Sequence, residues 1–305
     1  MNKYCFISIV LLVLTHLNLA AKNNNLRMIT INLDKVDLSL LSKKTLSETI
    51  NDSIQSIPKL KMSSLKVLVD KELKINNGSK IVTYRIYNNG RIVKYIPKIV
   101  NKKLENKYKY VYFDKEGNKH VLGIFTIFKK PLYKGDKDKF VNLISLEEVP
   151  KYYKEGKYQY HFNVDSPRSY LNEQTLAGFF GAMFEVNYLD ISCNGFSHND
   201  GSSKPSRSHI NGNNGDFKYL RKDKSLPCGK GTSLNIIKTP DSLDYERQNK
   251  WNDALYKFGW KSMLGWSYKI KGKTHYLNHI THKTKDHYHH LHVQGFEPLF
   301  KEIKE

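Results

Sequence analysis

Seven of the chain's twelve histidines fall between His275 and His292. That run ends His287-Tyr288-His289-His290-Leu291-His292. Alternate side chains share one face of a strand, so His290 and His292 are expected to point together and His289 to the other side. A His-x-His pair aims two imidazoles at one point, as a metal site requires. Upstream, Ser208-His209-Ile210-Asn211-Gly212-Asn213-Asn214-Gly215-Asp216 sets a His and an Asp on either side of a glycine-containing turn. Glycine permits positive φ and close backbone approach, so the turn can bring both side chains to one place. Taken singly, the first motif reads equally as a surface histidine cluster, and the second as a polar loop with a structural Asp. Taken together they offer two ligands from the loop and one from the pair. Three protein ligands and an open position for water describe a catalytic zinc.

These residues need a framework. Asn172 is placed to cap a helix with Leu176, Phe179, Phe180 and Met183 on one face. Tyr158 to Val164, Glu185 to Cys193 and Phe217 to Leu220 read as strands. A helix from Asp241 or Ser242 holds Leu243, Trp251, Leu255 and Phe258, with Gly259 at its end. Strands near Trp266 to Ile270 and His290 to Gly295 close the region. Helices among antiparallel strands make an α+β domain over residues 156–305. Before it, Asn89-Gly90 between Ile81–Tyr87 and Arg91–Ile96 marks one hairpin. Lys115-Glu116-Gly117-Asn118 between Tyr108–Phe113 and His120–Phe128 marks another. With a strand at Ile29 to Leu33 and a helix from Thr45 to Ile57 ended by Pro58, residues 22–155 read as a β-rich domain of unknown role.

Composition sets the outer limits. A hydrophobic content of 39% over 305 residues supports a real core, so wholesale disorder is not expected. The formal charge is +21, from 50 Lys and Arg against 29 Asp and Glu. Such a surface attracts polyanions, yet the lysines are spread out and no basic block marks a nucleic-acid tail. Lys3, the apolar run Phe6 to Leu14 and Leu19-Ala20-Ala21 describe a secretory signal peptide over residues 1–21. The run is too short to span a membrane, and no Cys follows the Ala pair to form a lipoprotein site. The mature chain is therefore expected in the periplasm or outside the cell. Cys193 and Cys228 are then either one disulfide or two free thiols.

The motif His209-x6-Asp216, followed by His290-x-His292, resembles the zinc peptidase superfamily of lysostaphin, D-Ala-D-Ala carboxypeptidases and the Hedgehog amino-terminal domain. His287-x-x-His290-x-His292 looks most like the penicillin-insensitive murein endopeptidases. The resemblance spans roughly residues 156–300 and rests on the motifs and the order of elements. It implies that His209, Asp216 and His292 bind Zn2+. It implies that His290 stands beside the metal as a catalytic group and that His287 lies at the active site. Ser208 also matches a common family pattern. Gly215 and Asn214 depart from the usual residues before the metal Asp. Ser206 stands where the murein endopeptidases have another His. Some relatives use an Arg near position 207 for a substrate carboxylate, and a guanidinium suits that bidentate task. Arg207 is either such a group or an exposed side chain. His198 and Asp200 receive no role.

The implied function is hydrolysis of peptide bonds in peptidoglycan cross-links, next to D-Ala. His290 or His287 would take a proton as water attacks. Two other readings stand beside it. One is a wall-binding module that keeps zinc without hydrolysis. The other is a His-dependent metal nuclease using Asn278-His279 and His282, which would leave Asp216 idle.

Overall fold

The structure, a computed structural model, describes residues 80–229 and 231–305. The expected signal peptide, the strand near Ile29 and the helix from Thr45 lie outside those residues. Both expected hairpins are present. Strand β1 (Val82–Tyr87) turns through Gly90, at φ 90°, into β2 (Arg91–Ile96). β3 (Lys107–Phe113) turns through Gly117, at φ 82°, into β4 (Lys119–Thr126). There follow β5 (Phe128–Pro131), β6 (Phe140–Ser145), β7 (Tyr152–Glu155), β8 (Tyr158–Val164) and β9 (Tyr170–Asn172). Helix α1 (Glu173–Val186) begins where Asn172 accepts a hydrogen bond from the Gln174 amide. Next come β10 (Ile191–Gly195), β11 (Gly215–Phe217), helix α2 (Tyr245–Lys257), β12 (Trp260–Gly265), β13 (Tyr268–Ile270) and β14 (Lys273–His275). The chain ends in β15 (Ile280–Lys283), β16 (Leu291–Phe296) and β17 (Leu299–Lys304).

The architecture is α+β: mostly sheet, with two α-helices among the described residues. One sheet runs β17-β2-β1-β3-β4 and a second runs β15-β12-β16-β11-β10-β8-β7. Smaller sheets are β5-β6-β9 and β13-β14. The second sheet is mixed rather than antiparallel throughout, because β8 pairs parallel to β10 and β12 parallel to β15. The cause at β8 and β10 is topological. The chain leaves β8, crosses through α1 and returns alongside, and a crossover of that kind delivers a parallel neighbour.

Helix α1 is buried on almost every side, as a helix apolar all round must be. It touches β1 and β3 of the first sheet, β8 of the second, and α2. Its Phe180 lies 5.8 Å from Tyr110 and its Phe184 4.7 Å from Tyr112, centroid to centroid. Its first residue, Glu173, meets buried Lys94 of β2 at 2.9 Å. The aromatic face of the two hairpins is thus covered by a helix from the later half of the chain. β17 then returns to pair with β2. The boundary expected after residue 155 falls inside one compact unit, Glu72–Glu305, and one apolar cluster runs across it.

Three local expectations shift. The stretch expected as a strand from Glu185 begins inside α1; Asn187, at φ 57°, caps that helix and the strand starts at Ile191. The second helix begins at Tyr245, capped by Asp244 accepting from the Arg247 amide, after a single 3-10 turn at Pro240–Ser242. The strand expected at Phe217–Leu220 is Gly215–Phe217. Cys193 is a buried free thiol and Cys228 an exposed one, so the two form no disulfide. Among the described residues no helix is long and apolar enough to cross a membrane.

Candidate metal centre

Register explains why Asp216 and His292 meet. β11 and β16 pair antiparallel with Asp216 opposite His292, so the two side chains rise from the same face. His209 arrives by the turn. It precedes a short 3-10 turn in which Asn211, at φ 57°, and Gly212, at φ 69°, reverse the chain. Asn211 is held by its amide on the Gly201 carbonyl and by its side chain accepting from the Tyr133 amide. Asn214 Nδ2 donates to the Ser208 carbonyl at 2.8 Å, tying the ends of the loop together. A Cβ on Gly212 would lie 2.5 Å from the Asn172 nitrogen and 2.7 Å from the Leu171 carbonyl carbon, so only glycine fits.

The result is a triangle of donor atoms. His209 Nε2 lies 3.1 Å from Asp216 Oδ1 and 3.0 Å from His292 Nδ1, and His292 Nδ1 lies 2.9 Å from Asp216 Oδ1. The three residues are buried, at 1%, 7% and 3% exposure. They form a group that could hold a metal ion. A tetrahedral zinc with bonds of about 2.0–2.1 Å spaces its ligands by roughly 3.3 Å. The triangle is a few tenths of an ångström tighter than that.

The partners of the two rings bear on their tautomers. Gln294 Oε1 lies 3.2 Å from His292 Nε2, and Asp216 Oδ1 lies 2.9 Å from the Nδ1 of the same ring. Gln294 is itself steadied by donating to Ser262 Oγ. A neutral imidazole has one N–H for the Gln294 and Asp216 oxygens, and a cation held at Nδ1 would leave that hydrogen on Nε2 for Gln294. On the other ring, Arg168 Nη1 stands 2.8 Å from His209 Nδ1. A guanidinium only donates, so His209 Nδ1 accepts and its proton is on Nε2, directed at Asp216. A metal on Nε2 needs that proton moved to Nδ1, so Arg168 must yield the contact when a metal binds.

The electrostatics follow from burial and these partners. Burial works to raise the Asp216 carboxyl, but hydrogen bonds from His209 and His292 overcome it and hold the group far below the usual carboxylate range. Burial lowers the His209 imidazole against the opposing pull of Asp216. Burial also carries His290 down to about 4, so the ring is neutral around pH 7. Both directions favour neutral imidazoles, the form that binds metal or accepts a proton.

His290 Nε2 lies 3.6 Å from Asp216 Oδ1, beside the triangle. The His287 ring stands 4.8 Å from that of His290 and 5.7 Å from that of His292, and its Nδ1 donates to the Lys285 carbonyl. Ser208 Oγ is 3.4 Å from His292 Nε2. Arg207 is exposed and makes no hydrogen bond or ion pair with a described residue. The arginine at the site is instead Arg168, from the loop between β8 and β9. Its Nη2 donates to the Asn194 carbonyl and lies 3.9 Å from Asp216 Oδ2. Gly195 makes room for it, since a Cβ there would stand 3.0 Å from the guanidinium. His289 lies against His290, with the two Nδ1 atoms 2.7 Å apart. His279 has other company: Asp253 at 2.9 Å and a stacked Tyr256 ring at 4.1 Å.

Compared with protein-family models, with curated proteins and with solved structures, the chain matches none.

Proposed function

We propose that the protein is a zinc-dependent peptidase acting on peptide cross-links of peptidoglycan, at bonds next to D-Ala, outside the cytoplasm. The observation that supports it best is the buried triangle of His209, Asp216 and His292 with a neutral imidazole, His290, on its rim. Two neutral imidazoles and one carboxylate, with nothing softer, are a donor set that suits zinc. A zinc ion held there would supply Lewis acidity and lower the pKa of a water towards about 7.

The remaining work falls to the chain's own groups. His290 is the base: its Nε2 takes a proton from the attacking water and returns it to the departing amine. His287, with Nδ1 committed to the Lys285 carbonyl and its ring 4.8 Å from that of His290, has Nε2 left to orient the scissile amide. Arg168, once displaced from His209, is a buried cation beside the site that can stabilise a carbonyl oxygen as it gains charge. Substrate identity rests on the motif resemblance and on the net charge of +21, which favours an anionic wall. Location rests on the signal-like residues 1–21.

The test is to incubate residues 22–305 with intact peptidoglycan, with and without a chelator, and analyse the fragments by mass spectrometry. Conversion of cross-linked dimers to monomers that stops on chelation is the expected result. Asp216→Asn should lower zinc affinity by more than about 100-fold, beyond what a supporting residue costs, and abolish release. Stoichiometric zinc without any fragment would point to a wall-binding module. Chelator-sensitive cleavage of DNA instead would point to a nuclease.

A further inference from the structure

A strand reading places His289 on the opposite face from His290. The structure does not, because β16 begins only at Leu291 and the residues before it are irregular. The His289 and His290 rings therefore lie side by side, 4.7 Å apart and tilted by 26°, with their Nδ1 atoms 2.7 Å from each other. Both are half-buried. At that separation two N–H groups would collide and two lone pairs would repel, so a single proton sits between them.

Which ring owns that proton decides what His290 can do. If His289 donates, neutral His290 has its hydrogen on Nε2 and turns an N–H towards the triangle. If His290 donates, its Nε2 is an unprotonated acceptor. The first arrangement gains little. Asp216 Oδ1 is 3.6 Å from His290 Nε2, beyond hydrogen-bond length, and is already shared by His209 and His292. A cation in the triangle would also repel that N–H and attract a lone pair. Among the described residues, His289 Nδ1 is the one polar atom placed within hydrogen-bond distance of His290 Nδ1.

We propose that His289 is a positioning residue, which accepts a hydrogen bond from His290 Nδ1–H and so fixes the tautomer that makes His290 Nε2 a base. The inference rests on the reading of His290 as the proton acceptor. When Nε2 takes a proton from water, the ring becomes a cation with hydrogen on both nitrogens. The Nδ1–H to His289 bond then becomes charge-assisted and stronger, which stabilises the imidazolium. The same proton leaves from Nε2 to the amine, and His289 neither gains nor loses one. An aspartate orients the base in serine hydrolases by the same logic; here the orienting group is neutral.

Long-range proton–nitrogen NMR on the 15N-labelled, zinc-loaded chain reads the tautomer directly, with His290 assigned by its loss in His290→Gln. The expected result is an Nδ1–H tautomer at His290 in the wild type and a shift to Nε2–H in His289→Phe. On cross-linked muropeptide, His289→Phe should lose about 10–100-fold in kcat at unchanged KM and zinc content, and His289→Asn, which keeps an acceptor, should return to within about threefold. An Nε2–H tautomer in the zinc-loaded wild type overturns the proposal. So does an active His289→Phe with undiminished kcat. If the wild type binds zinc and hydrolyses nothing, the peptidase reading fails while the wild-type spectrum still decides the tautomer. That spectrum also decides it if His289→Phe does not fold.

Discussion

At the scale of single residues, the site divides into what spacing reveals and what it hides. His209, Asp216 and His292 are legible because each motif is short and its local geometry, a turn or a strand, is set by neighbouring residues, whereas His290 stands beside them although the strand begins only at Leu291. Arg168 is not legible. It lies 41 residues before His209 in a loop with no pattern of its own, and the contact exists only because β8, β10 and β11 bring the two loops together. Arg207 attracts attention because it is adjacent in sequence, yet adjacency leaves it pointing at solvent. The Arg168 contact yields a prediction opposite to the usual behaviour of a residue supporting a metal ligand. Guanidinium and metal compete for the tautomer of one imidazole. A hydrogen bond to a charged group is worth about 1.5–3 kcal/mol, so removing the donor should free that energy for the metal and tighten zinc by about tenfold or more. Arg168→Met, titrated with zinc against a chromophoric chelator, should therefore bind more tightly than wild type. Equal or weaker binding would show that the two do not compete.

At the scale of elements, turn chemistry announces the hairpins, and Asn172 announces α1. The sequence pattern does not mark β5, β9, β15 and β17, which sit at sheet edges, and tertiary pairing rather than pattern makes them strands. The His209 turn lies between these cases. Its glycine is visible, but not the reason for it, which is the backbone of Leu171 and Asn172 packed against the missing Cβ. That backbone belongs to the capped start of α1 and cannot yield as a flexible side chain would. Gly212→Ala should therefore add left-handed strain of about 1–2 kcal/mol to an overpacking cost of about 1–3 kcal/mol. Urea unfolding of the metal-free protein should show a loss of about 2–5 kcal/mol at an unchanged slope. Because the same turn delivers His209, zinc affinity should fall with it. A loss of stability with full zinc affinity would show that the turn tolerates a shifted backbone.

At the scale of the whole molecule, sequence suggests two bodies and the structure joins them. The hairpins present Tyr84, Tyr110 and Tyr112 on one face, a surface too aromatic to remain in water, and the cover they find is α1. α1 in turn leads through β10 to the strand pair that bears Asp216 and His292. The Lys94–Glu173 pair and the return of β17 to β2 close the same connection from other sides. Such a cross-domain dependence is invisible to local pattern, since either half of the sequence looks able to fold alone. Its consequence is measurable through the metal. A ligand that binds only the native state stabilises whatever unfolds together with its site, by about 2.7 kcal/mol at a free concentration 100 times Kd. In a cooperative unit of this size that corresponds to a rise of roughly 5–10 °C. Calorimetry of residues 80–305 should show one transition that moves as a whole on adding zinc, with tyrosine signals of the hairpin sheet melting at the shifted temperature. Two transitions, of which only one follows zinc, would mean that the aromatic contact with α1 is too weak to couple the hairpins to the metal site.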